Sequence, residues 1–158
     1  MGVFVRGVMV LTLGSFSVLT GCGADPADVA DEDGGIVRVS NQVTGSVSEW
    51  DVDVSADVAE AGEVTFAITN FGTVTHEFLV TRTSYEPGKI PLGDNNRFDE
   101  ELDGITVVDE IPEFEVETTG LLKVMLEPGT YELLCNIEGH YAAGMHRTFE
   151  VVAASEAD

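Results

Sequence analysis

Three side chains with soft donor atoms lie close together in the stretch CNIEGHYAAGM. Four residues separate Cys135 from His140, and four more separate His140 from Met145. A glycine directly precedes His140 and another directly precedes Met145, which lets the chain bend without side-chain clashes. The whole chain has only two cysteines and three histidines. One cysteine, one histidine and one methionine in a single short loop predict that a thiolate, an imidazole and a thioether bind one metal ion.

The elements that must position these donors are strand ends. Cys135 closes the strand-like run TYELLC, and Met145 enters the run HRTFEVV. We expect the fourth donor to come from a neighbouring strand end, and His76 follows the turn NFGTVT in a suitable place.

These four donors indicate which metal the site would bind. Calcium and magnesium prefer oxygen ligands, and zinc gains little from a methionine. Two histidines, one cysteine and a weak axial methionine suit copper in both of its common oxidation states. The alternative to a metal site is an enzyme active site in which Cys135 is the nucleophile and His140 the base. No recognisable motif supplies the third group that would orient the histidine, or oxyanion donors. We therefore predict one copper ion and no enzymatic activity.

Short runs of alternating apolar and polar residues dominate the chain from Ile36 onward. In SEWDVDVS the alternation places Trp50, Val52 and Val54 on one face of a half-buried strand. The runs EVTFAITNFG, HEFLVTRT, GLLKVMLEPGTYELLC and HRTFEVV predict further strands. Met125 is expected to lie in the core. The pattern predicts an all-β sandwich with Greek-key connections.

The segment from Ser84 to Thr119 breaks this pattern. It contains three prolines and many acidic residues, with at most one short helix near residues 98–102. We interpret it as one long excursion between strands, of a length that is often functional or variable.

The N-terminus resembles a bacterial lipoprotein signal. Arg6 precedes an apolar run that is too short to span a bilayer, and the run ends in Leu-Thr-Gly-Cys at Cys22. This resembles a lipobox, which implies cleavage before Cys22 and attachment of lipid to it. Cys135 would then have no disulfide partner. A free cysteine exported to an oxidising compartment is a liability unless something occupies it, and a bound metal would do so.

These features divide the chain into four parts. Residues 1–21 are predicted to be the signal peptide, 22–45 an acidic flexible tether, 46–153 the folded domain and 154–158 a tail. The expected location is extracytoplasmic, with the protein anchored by lipid to the outer face of the cell membrane or in the periplasm.

The chain is strongly acidic. There are 29 acidic and 7 basic residues, a net charge of −22. Nucleic acid is excluded as a partner because its phosphates would be repelled. A basic partner protein would fit this surface, and so would a purely solvating role.

The ligand loop and the upstream stretch TNFGTVTHEF together resemble the cupredoxins, the small blue copper proteins related to plastocyanin and azurin. The four-and-four loop is most similar to that of auracyanin and rusticyanin. By position, the resemblance implies that the ligands of one type 1 copper are His76, Cys135, His140 and Met145. It also covers the tyrosine four residues before the cysteine and the Asn-x-Gly turn.

One position departs from the family pattern. Plastocyanin and azurin commonly carry asparagine after the first ligand histidine, where it ties the two ligand loops together. This chain has Glu77 there. We expect Glu77 to face solvent; the alternative is that it lies near the metal and alters the site.

The resemblance implies a monomeric electron carrier that exchanges single electrons with partner proteins, a donor and an acceptor. Electrons are expected to leave near His140, where Tyr141, Ala142 and Ala143 would form an apolar patch. The alternative function is copper handling, meaning storage, delivery or resistance. The absence of Met-rich or His-rich tracts favours the carrier. A multicopper oxidase is excluded, because three histidines in total cannot build a trinuclear cluster.

Overall fold

The computed structural model of the chain describes residues 27–30 and 36–155. Eleven strands make up the regular structure of this part of the chain. They are β1 (Ala27–Ala30), β2 (Ile36–Val39), β3 (Gln42–Ser48), β4 (Asp51–Val54), β5 (Val58–Glu60), β6 (Gly62–Asn70), β7 (His76–Thr83), β8 (Ile105–Phe114), β9 (Thr119–Leu126), β10 (Gly129–Leu134) and β11 (His146–Val152). The described residues contain no helix that could span a membrane.

The strands form two mixed sheets. One has seven strands in the order β1-β2-β5-β11-β10-β7-β8, and the other has four in the order β4-β3-β6-β9. Within the smaller sheet β6 runs parallel to β3 and antiparallel to β9. Several neighbours in space are therefore distant in sequence, and the predicted all-β Greek-key sandwich is confirmed.

The core fills the space between the sheets, because alternate residues of a strand point to the same face. In β6, Val64, Phe66 and Ile68 are buried in this way. The Phe66 ring lies 5.4 Å from the rings of both Phe78 on β7 and Phe149 on β11, so it joins the two sheets. Burying one such ring stabilises the fold by roughly 1.5–3 kcal/mol.

Two apolar residues do not lie where the sequence predicted. Val52 and Val54 are buried in β4, but Trp50 is 49% exposed. It belongs to the turn between β3 and β4, where strand alternation no longer applies. Met125 is 69% exposed and faces away from the core between the inward-facing Val124 and Leu126. The prediction that Met125 is a core residue is wrong.

The long excursion is shorter than the sequence indicated. Residues 105–114 form β8, which pairs with β7 at the edge of the larger sheet. No helix forms at residues 98–102; that region is a set of turns in which Leu102 donates a backbone hydrogen bond to Asp99. The irregular part is therefore residues 84–104.

Strands also occur within the range predicted to be a flexible tether. β2 lies there, and β3 begins there, with Val43 buried in the core. Val43 and Val47 sit on the same inner face of β3, so the sandwich begins before residue 46. Cys22 and the predicted signal peptide lie outside the described residues.

Candidate metal centre

Three neighbouring strands deliver the predicted donors to one end of the sandwich. His76 is the first residue of β7, Cys135 directly follows β10, and Met145 directly precedes β11. Because β10 pairs with both β7 and β11, these strand ends lie side by side. The loop from Cys135 to Met145 adds His140.

The structure brings the cysteine and two histidines together. One donor atom from each of His76, Cys135 and His140 lies within 4.8 Å of the others. The Cys135 Sγ is 3.4 Å from His140 Nδ1, and the two imidazole rings are 5.0 Å apart. Met145 is fully buried in the same core cluster as Cys135. The four predicted ligands therefore belong to one buried end of the fold.

Backbone hydrogen bonds hold the ligand loop in a tight return. The Met145 N–H donates to the His140 carbonyl at 3.1 Å, and the Cys135 N–H donates to the Met145 carbonyl at 3.1 Å. Gly139 and Gly144 have φ angles of 81° and 113°. Such positive angles strain residues with a side chain, which explains why glycine precedes each of the last two donors.

Burial sets the protonation of the donors. Desolvation raises the pKa of the Cys135 thiol to about 11, although backbone N–H groups of Glu77 and Ile137 oppose it. Desolvation also lowers the pKa of His76 and of His140, which favours neutral imidazoles. The rings can thus donate lone pairs to a metal ion, whereas the thiol must release its proton when a metal ion binds.

The donor chemistry fits one type 1 copper ion. Neither ring nitrogen of the fully buried His76 makes a well-formed hydrogen bond in the described part of the chain. Nε2 has only the Glu49 carboxylate at 3.4 Å, and Nδ1 has no polar partner there. Unpaired buried nitrogens are costly unless something else engages them. A thiolate, two imidazoles and a buried thioether are the donors that copper accepts in this arrangement.

Glu77 does not face solvent, and that prediction is wrong. Its side chain is buried, and its Oε1 accepts the backbone N–H of Asn136 at 2.6 Å. Asn136 directly follows Cys135, so Glu77 joins the two segments that carry ligands. Burial raises the pKa of Glu77, while this hydrogen bond and the guanidinium of Arg97 at 3.8 Å oppose the rise.

The irregular segment 84–104 packs on the ligand loop. Arg97 Nε donates to the Asn136 carbonyl at 2.6 Å, and Gly139 N–H donates to the Asn96 carbonyl at 3.2 Å. Phe98 and Tyr141 are both buried, with their rings 5.8 Å apart. Tyr141 is therefore a packing residue and not part of an exposed patch, whereas Ala142 and Ala143 are exposed.

Two residues near the centre had no signal in the sequence. The turn between β3 and β4 places the Trp50 ring 5.0 Å from the His140 ring, edge to face. The same turn places the Glu49 carboxylate near His76. Hydrogen bonds from the loop before β7, chiefly the backbone N–H of Thr73, lower the pKa of Glu49 to about 2. We call residues 49–50 the hairpin tip.

Comparisons by sequence gave no match, either to a protein-family model or to an individual characterised protein. Solved structures do match. A reduced auracyanin from Roseiflexus castenholzii is 18% identical, covering 72% of this chain and 98% of that chain, with a TM-score of 0.53. Rusticyanin from Thiobacillus ferrooxidans is 18% identical, covering 80% and 87%, with a TM-score of 0.49. Auracyanin A of Chloroflexus aurantiacus, a "blue" copper protein, is 20% identical, covering 70% and 99%, with a TM-score of 0.49.

The match to the Roseiflexus auracyanin shows that this chain has the cupredoxin fold, as the resemblance of its ligand loop implied. At this level of identity the match establishes the fold alone. What the site can do depends on its own side chains.

Proposed function

We propose that this cupredoxin-fold protein binds one type 1 copper ion and transfers single electrons outside the cytoplasm while anchored to a membrane by lipid. The observation that carries the proposal is the convergence of His76, Cys135 and His140 within 4.8 Å at a buried strand end. Met145 lies buried beside them. Bound copper would supply one-electron chemistry, since this donor set accepts both Cu(I) and Cu(II).

The protein's contribution is a site that resists rearrangement. Glu77 ties the start of β7 to the residue after Cys135, and the backbone of the ligand loop closes on itself. Segment 84–104 packs over the loop from outside. Ligands held in this way change position little between oxidation states, and small changes in geometry favour fast electron transfer.

Copper handling is the second candidate function. A protein that delivers or stores copper must release it, whereas the Cys135 thiolate here is fully buried. The ligand histidine nearest the surface, His140, is covered by the Trp50 ring. These features favour a resident ion and therefore a carrier.

The absorption spectrum of the copper-loaded, oxidised protein tests the site. We expect strong absorption near the red end of the visible range, because thiolate-to-copper charge transfer produces it. Reversible voltammetry would then separate a carrier from a handler. A colourless complex, or copper lost readily to a competing chelator in both oxidation states, would contradict the carrier.

The membrane anchor rests on the lipobox-like sequence that ends at Cys22. We expect the mature chain to begin at Cys22, to carry lipid there and to partition with membranes. Mass spectrometry of the protein from its natural host would test this, with Cys22→Ala as the variant that blocks processing or releases the protein. An unlipidated N-terminus elsewhere in the chain would contradict the proposed anchor.

The electron donor and the electron acceptor are proposed to be redox proteins, which the monomer binds only briefly.

A further inference from the structure

The carboxylate of Glu49 lies beside the second ring nitrogen of His76. Its Oε1 is 3.4 Å from His76 Nε2, which is slightly longer than a well-formed hydrogen bond. His76 is fully buried, and the Glu49 side chain is 23% exposed. Because Nε2 lies next to this carboxylate, Nδ1 is the ring nitrogen that is available to a metal ion.

Gly72 makes this approach possible. A Cβ atom at position 72 would lie 2.6 Å from His76 Nε2 and 2.8 Å from Glu49 Oε1, closer than real Cβ contacts allow. The two groups therefore meet across a position that only glycine leaves open. The glycine belongs to the loop before β7 and has an ordinary backbone conformation there.

The carboxylate itself is held in place from the same loop. Glu49 Oε1 accepts the backbone N–H of Thr73 at 2.7 Å and that of Val74 at 3.1 Å, and the Thr73 hydroxyl lies at 3.2 Å. These contacts fix the oxygen before any metal binds. A fixed acceptor beside a buried imidazole is the arrangement that orients metal-ligating histidines in many proteins.

An imidazole that binds a metal through Nδ1 must carry its proton on Nε2. A carboxylate facing that proton selects this tautomer and makes the ring a stronger donor. A stronger donor stabilises Cu(II) more than Cu(I). We propose that Glu49 is a positioning residue for His76, fixing its tautomer and lowering the reduction potential of the site. This inference rests on the proposed copper function.

A simpler role would be for Glu49 to anchor only the loop that contains Thr73 and Val74. The variants must therefore remove the charge while keeping an oxygen acceptor for the loop, and Glu49→Gln does so. Asp51→Asn is the matched control. It removes the same charge from an exposed side chain two positions away in the same hairpin.

The first measurement uses the full-length chain without metal. Nitrogen chemical shifts of ¹⁵N-labelled histidine at a pH where the rings are neutral report which nitrogen of His76 carries the proton. We expect the Nε2–H tautomer, with a proton shift that moves upfield in Glu49→Gln and stays in place in Asp51→Asn. A proton on Nδ1 in the unmodified chain would overturn the proposal.

The second measurement uses the copper-loaded chain. Glu49→Gln should raise the reduction potential and weaken Cu(II) binding about 10-fold or more. Asp51→Asn should change both much less. Equal shifts in the two variants would mean that only net charge matters, and unchanged values in Glu49→Gln would mean that Glu49 anchors the loop alone; either overturns the proposal.

The two proposals fail separately. A copper-loaded wild-type chain without the intense band would overturn the type 1 site. The histidine shifts of the metal-free chain would still decide whether Glu49 controls the tautomer of His76.

Discussion

The two histidines of the candidate metal centre have different surroundings. His76 is fully buried, and its outer nitrogen faces the carboxylate of Glu49. His140 lies closer to the surface, with its ring 5.0 Å from the ring of Trp50, which is itself half exposed. One hairpin tip supplies both neighbours, a charged group for one histidine and an aromatic ring for the other.

The difference assigns separate tasks to the two sides. A carboxylate next to His76 acts on the electronic properties of the site, because charge beside a ligand changes its basicity. In the proposed electron carrier, the Trp50 ring beside His140 would affect how electrons enter and leave, because it lies between a buried ligand and the surface.

Cys135→Ser should have the largest effect, because the thiolate would bind the same metal ion as both His76 and His140. It supplies the charge-transfer band and the strongest ligand for Cu(I). We expect the intense colour to disappear and copper binding to weaken in both oxidation states. Absorption and competition with a copper chelator measure this. A Cys135→Ser protein that keeps the colour would end the type 1 assignment.

Gly72→Ala should break the His76 side. The added methyl group cannot fit between Glu49 and His76, so one of them must move. We expect about 1–3 kcal/mol of lost folding stability from overpacking and a clear loss of Cu(II) affinity. Denaturant unfolding and metal titration measure these quantities.

Gly93→Ala is the control for that substitution. A Cβ at position 93 would meet its nearest neighbour at an ordinary 3.5 Å. It should leave both stability and copper binding nearly unchanged. If the two variants behaved alike, the close approach at position 72 would have no role.

Trp50→Leu should remove the aromatic contact with His140. Trp50 is the only tryptophan in the chain, so its fluorescence reports directly on the site. We expect Cu(II) to quench that fluorescence in the unmodified protein. In the leucine variant, electron self-exchange should slow several-fold while the ligand set is kept. A self-exchange rate that is unchanged, measured by NMR line broadening, would show that electrons leave by another route.

Ala142→Glu tests the exposed surface near His140. A charge in the contact area should hinder close approach and slow self-exchange moderately, with spectrum and potential intact. Met125→Glu is the control, because it adds the same charge to an exposed position on β9. The register pairs Met125 with Glu63 near the start of β6, at the opposite end of that strand from Asn70 and the loop that leads to His76. Equal slowing in both variants would indicate a general charge effect.

The smallest effect should come from Glu138→Lys. Glu138 is exposed on the ligand loop, so reversing its charge should change mainly the salt dependence of association with a cationic redox probe. Glu100 is a poorer choice for charge reversal, since its carboxylate accepts a hydrogen bond from the Asn136 side chain at 3.0 Å. Stopped-flow rates across a salt series measure the effect. A slope that does not change would place the approach of the probe elsewhere.

Much of the centre was determined by local sequence. The spacing of Cys135, His140 and Met145, with glycine before two of them, specified a loop that returns its donors to one point. The runs that became β7 and β11 were also predicted to the residue, because their strand pattern is short and uninterrupted. Such features depend on neighbours in the chain, and a sequence displays them directly.

The surroundings of the ligands were decided by tertiary structure. Glu49 and Trp50 looked like alternating residues of a strand, and only the turn between β3 and β4 turned them toward the two histidines. Glu77 looked like a surface charge until the packing of β7 beside β10 gave it the Asn136 N–H as a partner. Contacts between segments far apart in sequence leave no periodic signal, so the donor-rich loop could be predicted, while its neighbours Glu49, Trp50 and Glu77 required the fold.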